Sequence, residues 1–325
     1  MPQTHLHLRI ARVIAGVVIA GAFCGCAFVL PQAEALRTEW PAGVPTQVEL
    51  DAVPFFPQED YQCGPAALAT VLGSDGLAIT PEDLVPKVYL PDRRGSLQIE
   101  MMAAPRTYGM VSWQLAPRLD DLLREVQAGN PVIVLQDYGV WPLSYWHYAV
   151  VVGYDRETGQ VVLRSGQKRR LQMPFHVLEY TWKESRYWAM VAVPPDRIPA
   201  TATEASWIEA VHAMEHAGPR DATRRAYQTL LARWPQSLGG AIGLSNIYYG
   251  DGRLREAEEV LRGALQHHPK SPVVLNNLAQ VLSDLNRPRE ALPLVEEAIA
   301  QGGAFEAEAR ETRAQIVRKL PPAMP

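Results

Sequence analysis

The apolar residues of this 325-residue chain follow three successive patterns. Residues 13–30 carry no charge, and Arg9 and Arg12 precede them. Residues 51–195 mix short strand-like runs with helix-like segments and many aromatic side chains. From residue 204 onward Ala, Leu, Glu and Arg dominate, and no strand pattern is evident. The patterns predict an N-terminal export segment, a mixed α and β domain and an all-helical domain.

The N-terminal segment is typical of a signal peptide, because basic residues precede an apolar run. Three outcomes remain open for it. Phe23-Cys24-Gly25-Cys26 resembles the lipobox of bacterial lipoproteins, which ends the signal peptide at residue 25 and attaches lipid to Cys26. Cleavage after Ala33-Glu34-Ala35 is the second outcome, and an uncleaved membrane anchor is the third. We adopt the lipid anchor at Cys26 and expect a membrane-tethered protein of the bacterial cell envelope that faces the periplasm.

The C-terminal region repeats with a period of 34 residues. The blocks 204–237, 238–271 and 272–305 carry matching residues at matching positions. Small residues are expected where two helices approach closely, and the aligned set is Thr223, Ala257 and Ala291. Large apolar residues are expected where the helices interlock, and the aligned set is Tyr227, Leu261 and Val295. This pattern resembles the tetratricopeptide repeat. A generic helical bundle is the alternative. We expect repeats with a capping helix over 204–325 and a concave surface for a protein partner or substrate.

Proline-containing stretches separate the three parts of the chain. Residues 26–50 are predicted to be a linker after the signal peptide of residues 1–25. Residues 196–203, which follow Pro194-Pro195, are predicted to be a second linker. The mixed domain then spans 51–195.

Composition and charge exclude several classes of protein. The chain is 47% hydrophobic and 20% charged, which excludes a disordered chain. The 31 basic and 35 acidic residues give a net charge of −4, and no long basic cluster occurs, so no nucleic-acid partner is expected. The three cysteines are Cys24, Cys26 and Cys63. Two of them lie in the signal segment, which excludes a disulfide framework and a cysteine-based zinc site. No cofactor or metal is predicted.

Cys63 stands at the start of a predicted helix. Gly64-Pro65 and a run of Ala and Leu follow it, and Pro is favoured in a first helical turn because its missing N–H is not needed there. The partial positive charge of a helix N-terminus favours thiolate over thiol. Gln58 lies five residues upstream. Its side-chain amide and the backbone N–H of Cys63 are candidate donors to an oxyanion beside the sulfur.

His147 is the best partner for Cys63 among the eight histidines. It begins the apolar run 147–154, which is predicted to be a buried strand. The other histidines fall in the signal segment, in the repeats or in a predicted turn. A histidine before an apolar strand is by itself more often structural than catalytic. Together with a cysteine at a helix start, it indicates a nucleophile and its proton acceptor.

Two sequences, PQEDYQCGPAALATVL and WHYAVVVGYD, resemble the papain-fold peptidases related to the enzymes that process bacteriocin leaders of the double-glycine type. The segment between these two sequences is similar to the helices and the first sheet strand of that family. The resemblance covers about residues 50–195 and implies an α+β papain-like fold. It also implies that Cys63 is the nucleophile, His147 the general base and acid, and Gln58 the oxyanion donor.

The third catalytic member departs from the family, which usually places Asp on the strand after the histidine strand. Ser165 occupies the expected place here, and Gln167 or a backbone carbonyl are the other candidates. A hydroxyl can orient His147, but it does not offset the charge of an imidazolium as a carboxylate does. The aromatic residues near His147, which are Trp141, Tyr145, Trp146 and Tyr148, either shield the site and form a groove or pack in the core.

The sequence therefore predicts an exported, membrane-tethered cysteine peptidase of α+β papain-like fold, followed by an all-α tetratricopeptide domain. We expect the Cys63–His147 dyad to cleave peptide bonds and the repeats to recruit a protein partner or substrate. The absence of Asp favours an alternative, an inactive scaffold that binds peptides. An acyltransferase or amidase that uses the same dyad is a further alternative.

Overall fold

The computed structural model describes residues 30–57, 62–140 and 142–320. Its helices are α1 (Pro31–Thr38), α2 (Cys63–Ser74), α3 (Pro81–Val88), α4 (Gln98–Thr107), α5 (Leu119–Gln127), α6 (Phe175–Trp182), α7 (Glu204–His212), α8 (Arg220–Arg233), α9 (Leu238–Gly250), α10 (Leu254–His267), α11 (Pro272–Asp284), α12 (Pro288–Gln301) and α13 (Glu306–Lys319). Its strands are β1 (Gln47–Glu49), β2 (Val111–Gln114), β3 (Val132–Asp137), β4 (Trp146–Asp155), β5 (Gln160–Ser165), β6 (Lys168–Pro174) and β7 (Ala189–Val193). Two short 3-10 turns, Pro91–Arg93 and Lys183–Ser185, complete the elements.

The strands form one antiparallel sheet in the order β2-β7-β3-β4-β5-β6. Strand β1 pairs with the far end of β4, where a bulge shifts the register between β4 and β5. The central strands are apolar on both faces, as strands covered on both sides must be. On β3, Ile133 and Leu135 belong to one core cluster, and Val132 and Val134 belong to the other. The sheet therefore separates two helical layers.

Helix α2 lies in the layer on one face of the sheet, beside α3 and α4. Its residues from Gly64 to Leu72 are all buried, which explains why this helix has small and apolar residues on every side. It packs on β4, the strand that begins with Trp146 and His147. The core thus holds the first residue of α2, Cys63, beside the start of β4.

Helix α1 belongs to the layer on the other face and packs on α5 and α6. The buried carboxylate of Glu179 accepts hydrogen bonds from the backbone N–H groups of Gln32 (3.1 Å) and Ala33 (2.6 Å). These are donors that a helix N-terminus leaves without an intrahelical partner. The prediction of a linker over 26–50 was therefore wrong from residue 31 onward, because α1 and β1 are built into the domain.

The second predicted linker, 196–203, is fixed to the α+β domain. The side chain of Glu125 is fully buried, and it accepts hydrogen bonds from Ala200 N–H (3.2 Å), Thr201 N–H (2.7 Å) and Thr201 Oγ1 (2.7 Å). Helix α7 follows at once and packs on β2, with Trp207 in the same core cluster as the sheet. The two domains therefore meet in a hydrogen-bonded, apolar joint.

Residues 204–319 form seven helices in the described chain, and consecutive helices pack against each other. The three small residues that the 34-residue period aligned, Thr223, Ala257 and Ala291, are all buried. Their size matters because a small residue lets two helices approach closely. Helix α13 follows the last repeat in the place predicted for a capping helix and packs on α11 and α12.

Among the described residues, no helix is both long enough and apolar enough to cross a membrane. The predicted signal peptide, residues 1–25, and the predicted lipid attachment site, Cys26, lie outside the described residues.

Candidate active site

Cys63 is the first residue of α2 and is half-buried. The backbone N–H groups of Gly64 and Tyr148 donate toward its thiol, and both lower its pKa. Burial has the larger effect, so the pKa of the Cys63 thiol is raised overall. The thiol is therefore the resting form of this sulfur, and it sits beside the residue that follows His147.

The loop before α4 presses on the start of α2. A Cβ atom added to Gly64 would overlap the side chain of Ser96 and lie 2.7 Å from its Cβ atom, so no larger residue fits there. The hydroxyl of Tyr148 donates to the backbone carbonyl of Ser96 at 3.2 Å. This contact joins the loop to β4. Glycine after Cys63 is thus required by a close approach.

His147 lies near the start of β4, opposite Gln136 of β3 in the sheet register. Its side chain is 8% exposed. Burial lowers the pKa of its imidazole to about 4, because the charged form loses hydration there. The ring is therefore neutral at neutral pH and able to accept a proton. Its Nε2 atom lies 2.9 Å from the Oγ atom of Ser165, the last residue of β5.

A chain of hydrogen bonds continues behind Ser165. The ring of Tyr138 stacks on the imidazole of His147, with 5.3 Å between centroids and 28° between planes. Its hydroxyl is hydrogen-bonded to Ser165 and donates to Gln136 Oε1 at 3.0 Å. Gln136 Nε2 donates to Thr181 Oγ1 at 2.7 Å. Thr181 Oγ1 in turn donates to backbone carbonyls of α6 at 3.0 and 3.1 Å.

The direction of this chain decides the tautomer of His147. Carbonyl oxygens only accept, so Thr181 donates to α6 and accepts from the amide of Gln136. Gln136 then presents its oxygen to Tyr138, and Tyr138 accepts the proton of Ser165. With the Ser165 proton assigned to Tyr138, the Ser165 oxygen is assigned as the acceptor of Nε2–H of His147. The neutral ring consequently keeps its lone pair on Nδ1.

Cys63 and His147 both line one open cleft of about 990 Å³. The structure therefore brings together the predicted nucleophile and the predicted base. Ser165 is the candidate for third member that bonds to the imidazole. The third predicted residue of the site, Gln58, lies outside the described residues.

Sequence reasoning missed Gln136, Tyr138 and Thr181. One signal was available, because Gln136 interrupts the apolar run of β3 and is fully buried. A buried amide in a central strand requires hydrogen-bond partners, which marks a polar network. Tyr138 and Thr181 gave no such signal, since they come from a loop and from a helix that only folding brings together.

The aromatic residues near His147 divide into two groups. Tyr148 is 2% exposed and packs edge-on to Trp188 in the core. Tyr145 is 61% exposed, Trp146 is 47% exposed, and both line the cleft. Trp141 lies outside the described residues. Core packing thus accounts for Tyr148, and the groove interpretation fits the exposed pair.

The surroundings of the His147 ring contain neither a carboxylate partner nor a metal-binding cluster in the part of the chain that the structure describes. Within the described ranges, the hydrogen-bond partner of the His147 ring is a hydroxyl, and no carboxylate forms an ion pair with it. The same ranges contain no group of three or more His, Cys, Asp or Glu side chains placed to hold a metal ion.

Residues 50–190 match the model of the peptidase C39-like family, and residues 248–316 match that of the tetratricopeptide repeat. This α+β domain is similar to the peptidases of the C39-like family. The C39-like domain is followed by tetratricopeptide repeats, so the predicted fold class and family are confirmed. The repeat match begins at residue 248, whereas the first predicted block, 204–237, lies before it.

Solved structures similar to parts of the chain fall into the same two groups. A Bacillus anthracis protein described as a C39-like peptidase is 19% identical, with a TM-score of 0.39, and the match covers 46% of this chain and 98% of that one. The peptidase domain of Streptococcus ComA, a bifunctional ABC transporter of a quorum-sensing pathway, is 18% identical, with a TM-score of 0.36. That match covers 44% of this chain and 98% of the ComA domain. A thermophilic tetratricopeptide protein of Thermus thermophilus is 22% identical, with a TM-score of 0.33. That match covers 37% of this chain and 66% of the Thermus chain. None of the curated proteins compared with the chain matches it significantly.

Proposed function

We propose that this protein is a cysteine peptidase in which Cys63 is the nucleophile and His147 the general base and acid. The observation that carries the proposal is the shared cleft. It holds a thiol at a helix N-terminus together with an imidazole whose Nε2–H is engaged by Ser165. That arrangement leaves Nδ1 as the proton acceptor. A nucleophile, a base and a group that orients the base are the parts that thiol catalysis needs.

The reaction begins from a neutral pair, since burial raises the pKa of Cys63 and lowers that of His147. As the sulfur attacks the peptide carbonyl, the thiol proton passes to Nδ1 of His147. The backbone N–H of Cys63 and the side chain of Gln58 stabilise the oxyanion. The imidazolium then gives its proton to the leaving amine, and water, activated by the same ring, releases the acyl-enzyme.

Labelling with an acyl probe that reacts with thiols tests this proposal. The full chain should be labelled, and Cys63→Ser and His147→Ala should each abolish labelling. Cys26→Ser is the matched control, because it removes another cysteine and should leave the labelling unchanged. Equal labelling of Cys63→Ser and the unaltered chain would contradict the proposal.

The second candidate function is a scaffold that binds peptides without cleaving them. One observation favours it: the group that orients His147 is the uncharged Ser165, so nothing in the described residues offsets an imidazolium charge at that ring nitrogen. A scaffold would bind peptides in the cleft of both the unaltered chain and Cys63→Ser with equal affinity, and neither would release product.

We also propose that the chain is exported to the bacterial cell envelope and tethered by lipid at Cys26. Helix α1 argues against the second of the three outcomes, cleavage after Ala35. Cleavage after Ala35 would remove Gln32 and Ala33, whose backbone N–H groups are bonded to the buried Glu179. Metabolic labelling with palmitate tests the tether. Cys26→Ser should lose the label, and Cys24→Ser should keep it.

For the repeats we propose that they recruit a protein partner or the substrate itself. Stacked helical pairs of this kind present an extended concave surface. The joint between β2 and α7 supports a role in which the captured chain stays close to the C39-like domain.

A further inference from the structure

The cleft that holds Cys63 and His147 carries three arginines among its described lining residues. They are Arg93, Arg94 and Arg186, and all three are exposed. The acidic residue among the described lining is Glu184, which pairs with Lys183 at 3.8 Å. Arginines thus outnumber acidic residues by three to one in the described wall of the cleft, although the chain as a whole has a net charge of −4.

Two of these arginines adopt an unusual backbone conformation. The φ angle is 47° at Arg94 and 57° at Arg186, both in the left-handed region. Each residue ends a 3-10 turn, a place where glycine is favoured because it has no Cβ atom. A non-glycine residue in this region is destabilised by roughly 1–2 kcal/mol relative to the right-handed helix. The occurrence of two arginines at such positions in one cleft motivates the search for a role of their guanidinium groups.

The turn that carries Arg94 is held firmly against the nucleophile. Leu90 N–H donates to the Gly95 carbonyl at 2.8 Å and closes the turn. The next residue, Ser96, is packed on Gly64 and accepts a hydrogen bond from Tyr148. Arg94 is therefore two residues from a contact with the helix that begins at Cys63.

The turn that carries Arg186 is anchored in the core. The backbone N–H of Arg186 donates to the Lys183 carbonyl at 2.8 Å. The indole of the fully buried Trp182 donates to the Trp188 carbonyl at 2.8 Å, and Ser185 Oγ donates to the Trp182 carbonyl at the same distance. Both arginines thus extend from rigid turns, which reduces the entropy lost when they bind a ligand.

We infer that Arg94 and Arg186 form a subsite for a carboxylate, and that the substrates of this cleft are peptides with acidic side chains near the scissile bond. Guanidinium groups bind carboxylates through paired, charge-assisted hydrogen bonds. This inference rests on the proposed peptidase function for its substrate role, but the subsite itself is a binding property that persists without catalysis.

Binding to the full chain with Cys63→Ala measures the subsite independently of hydrolysis. The probes are two fluorescein-labelled, C-terminally amidated peptides of alternating leucine and glutamate, or of leucine and glutamine. We expect the glutamate peptide to bind about tenfold more tightly, and its advantage to fall at high ionic strength. Arg94→Gly and Arg186→Gly should each weaken its binding about three- to fivefold and leave the glutamine peptide unaffected.

Glycine is chosen because it adopts the left-handed region freely, so these variants remove the guanidinium and keep the backbone conformation of the turn accessible. Asn286→Gly is the matched control. Its φ angle is 59°, and it lies between α11 and α12, far along the chain in the repeats. It should bind both peptides as the parent does. The C-terminal carboxylate of a peptide is the other possible source of a carboxylate, so the glutamine peptide is also tested with a free C-terminus. If that peptide binds as tightly as the glutamate peptide, the assignment to acidic side chains is wrong.

Equal binding of the two peptides by the parent would overturn the subsite, as would an equal loss for both peptides in the arginine variants. Hydrolysis is followed separately with the unaltered chain. Cleavage without a preference for glutamate would support the peptidase proposal and contradict the carboxylate subsite. Tighter binding of the glutamate peptide without any cleavage or probe labelling would support the carboxylate subsite and contradict the peptidase proposal.

Discussion

The Nε2 atom of His147 is 2.9 Å from the Oγ atom of Ser165, so a hydroxyl stands where the resemblance to the papain-fold peptidases implies a carboxylate. A carboxylate both orients an imidazole and stabilises its charged form. Ser165 performs only the first of these tasks. Tyr138 supports it as the acceptor of the Ser165 hydroxyl, and Tyr138 in turn donates to Gln136. Orientation and charge stabilisation are therefore separate in this site.

Replacing the hydroxyl by a carboxylate should activate the cysteine. In Ser165→Asp, the negative charge would raise the pKa of His147 above about 4 and favour the thiolate–imidazolium pair. We expect faster alkylation of Cys63 by iodoacetamide near neutral pH and a pH profile shifted to lower pH. Ser165→Ala should reduce the rate less than His147→Ala does. An alkylation profile that His147→Ala leaves unchanged would show that Cys63 has no base.

Removing the hydroxyl of Tyr138 should weaken the orientation of His147. In Tyr138→Phe the stacked ring stays, but Ser165 loses the acceptor for its proton and becomes free to donate to Nε2. We expect kcat to fall about three- to tenfold, which corresponds to roughly 0.5–1.5 kcal/mol for one hydrogen bond, with little change in KM. Tyr249→Phe is the control, since that hydroxyl bonds to Asp284 in the repeats. A change in KM alone would contradict the role of Tyr138 in positioning the base.

The low pKa of His147 predicts how stability depends on pH. The folded chain holds this pKa at about 4, below its ordinary value of 6.5, so the unfolded chain binds more protons between these two values. The stabilisation is complete above pH 6.5 and is lost as the pH falls toward 4, by about 3 kcal/mol in total. Urea unfolding at a series of pH values measures it. His147→Gln should flatten the dependence in this window, and His267→Gln, at an exposed position, should leave it as it is.

Glu125 should control the joint between the two domains. Glu125→Gln replaces one acceptor oxygen by a donor that faces the N–H groups of Ala200 and Thr201. A buried donor without an acceptor costs about 1–3 kcal/mol, so we expect the segment 194–203 to loosen. Limited proteolysis should then cut that segment faster, while far-UV circular dichroism stays unchanged. Glu259→Gln, at an exposed position in α10, is the control. Equal rates of proteolysis in the two variants would show that Glu125 does not hold the joint.

Local chemistry made the main elements of the site predictable. Gly64 and Pro65 after Cys63 indicate a helix start regardless of what surrounds it, and the structure begins α2 at Cys63. The apolar run after His147 predicts a buried strand in the same way, and β4 covers it. The period of 34 residues predicts stacked helical pairs, because each pair must bury the same face against the next.

The predicted linkers failed for a physical reason. Residues 31–38 and 196–203 have few apolar positions, so their composition suggests exposed chain. Two buried carboxylates from distant parts of the sequence, Glu179 and Glu125, bind the backbone of these segments and fix them. No local pattern reports such a contact, since the donors are main-chain N–H groups common to all residues except proline.

The sequence by itself determined the fold class, the repeats and the elements that carry Cys63 and His147, because helix starts, buried strands and repeat periods depend on neighbours along the chain. Tertiary structure alone decided the tautomer of His147 and the charge of the cleft. Ser165, Tyr138, Gln136 and Thr181 come from different elements, and the direction of their hydrogen bonds is fixed only where they meet. Arg94 and Arg186 are 92 positions apart in the chain and line one cleft only because folding brings their two turns together.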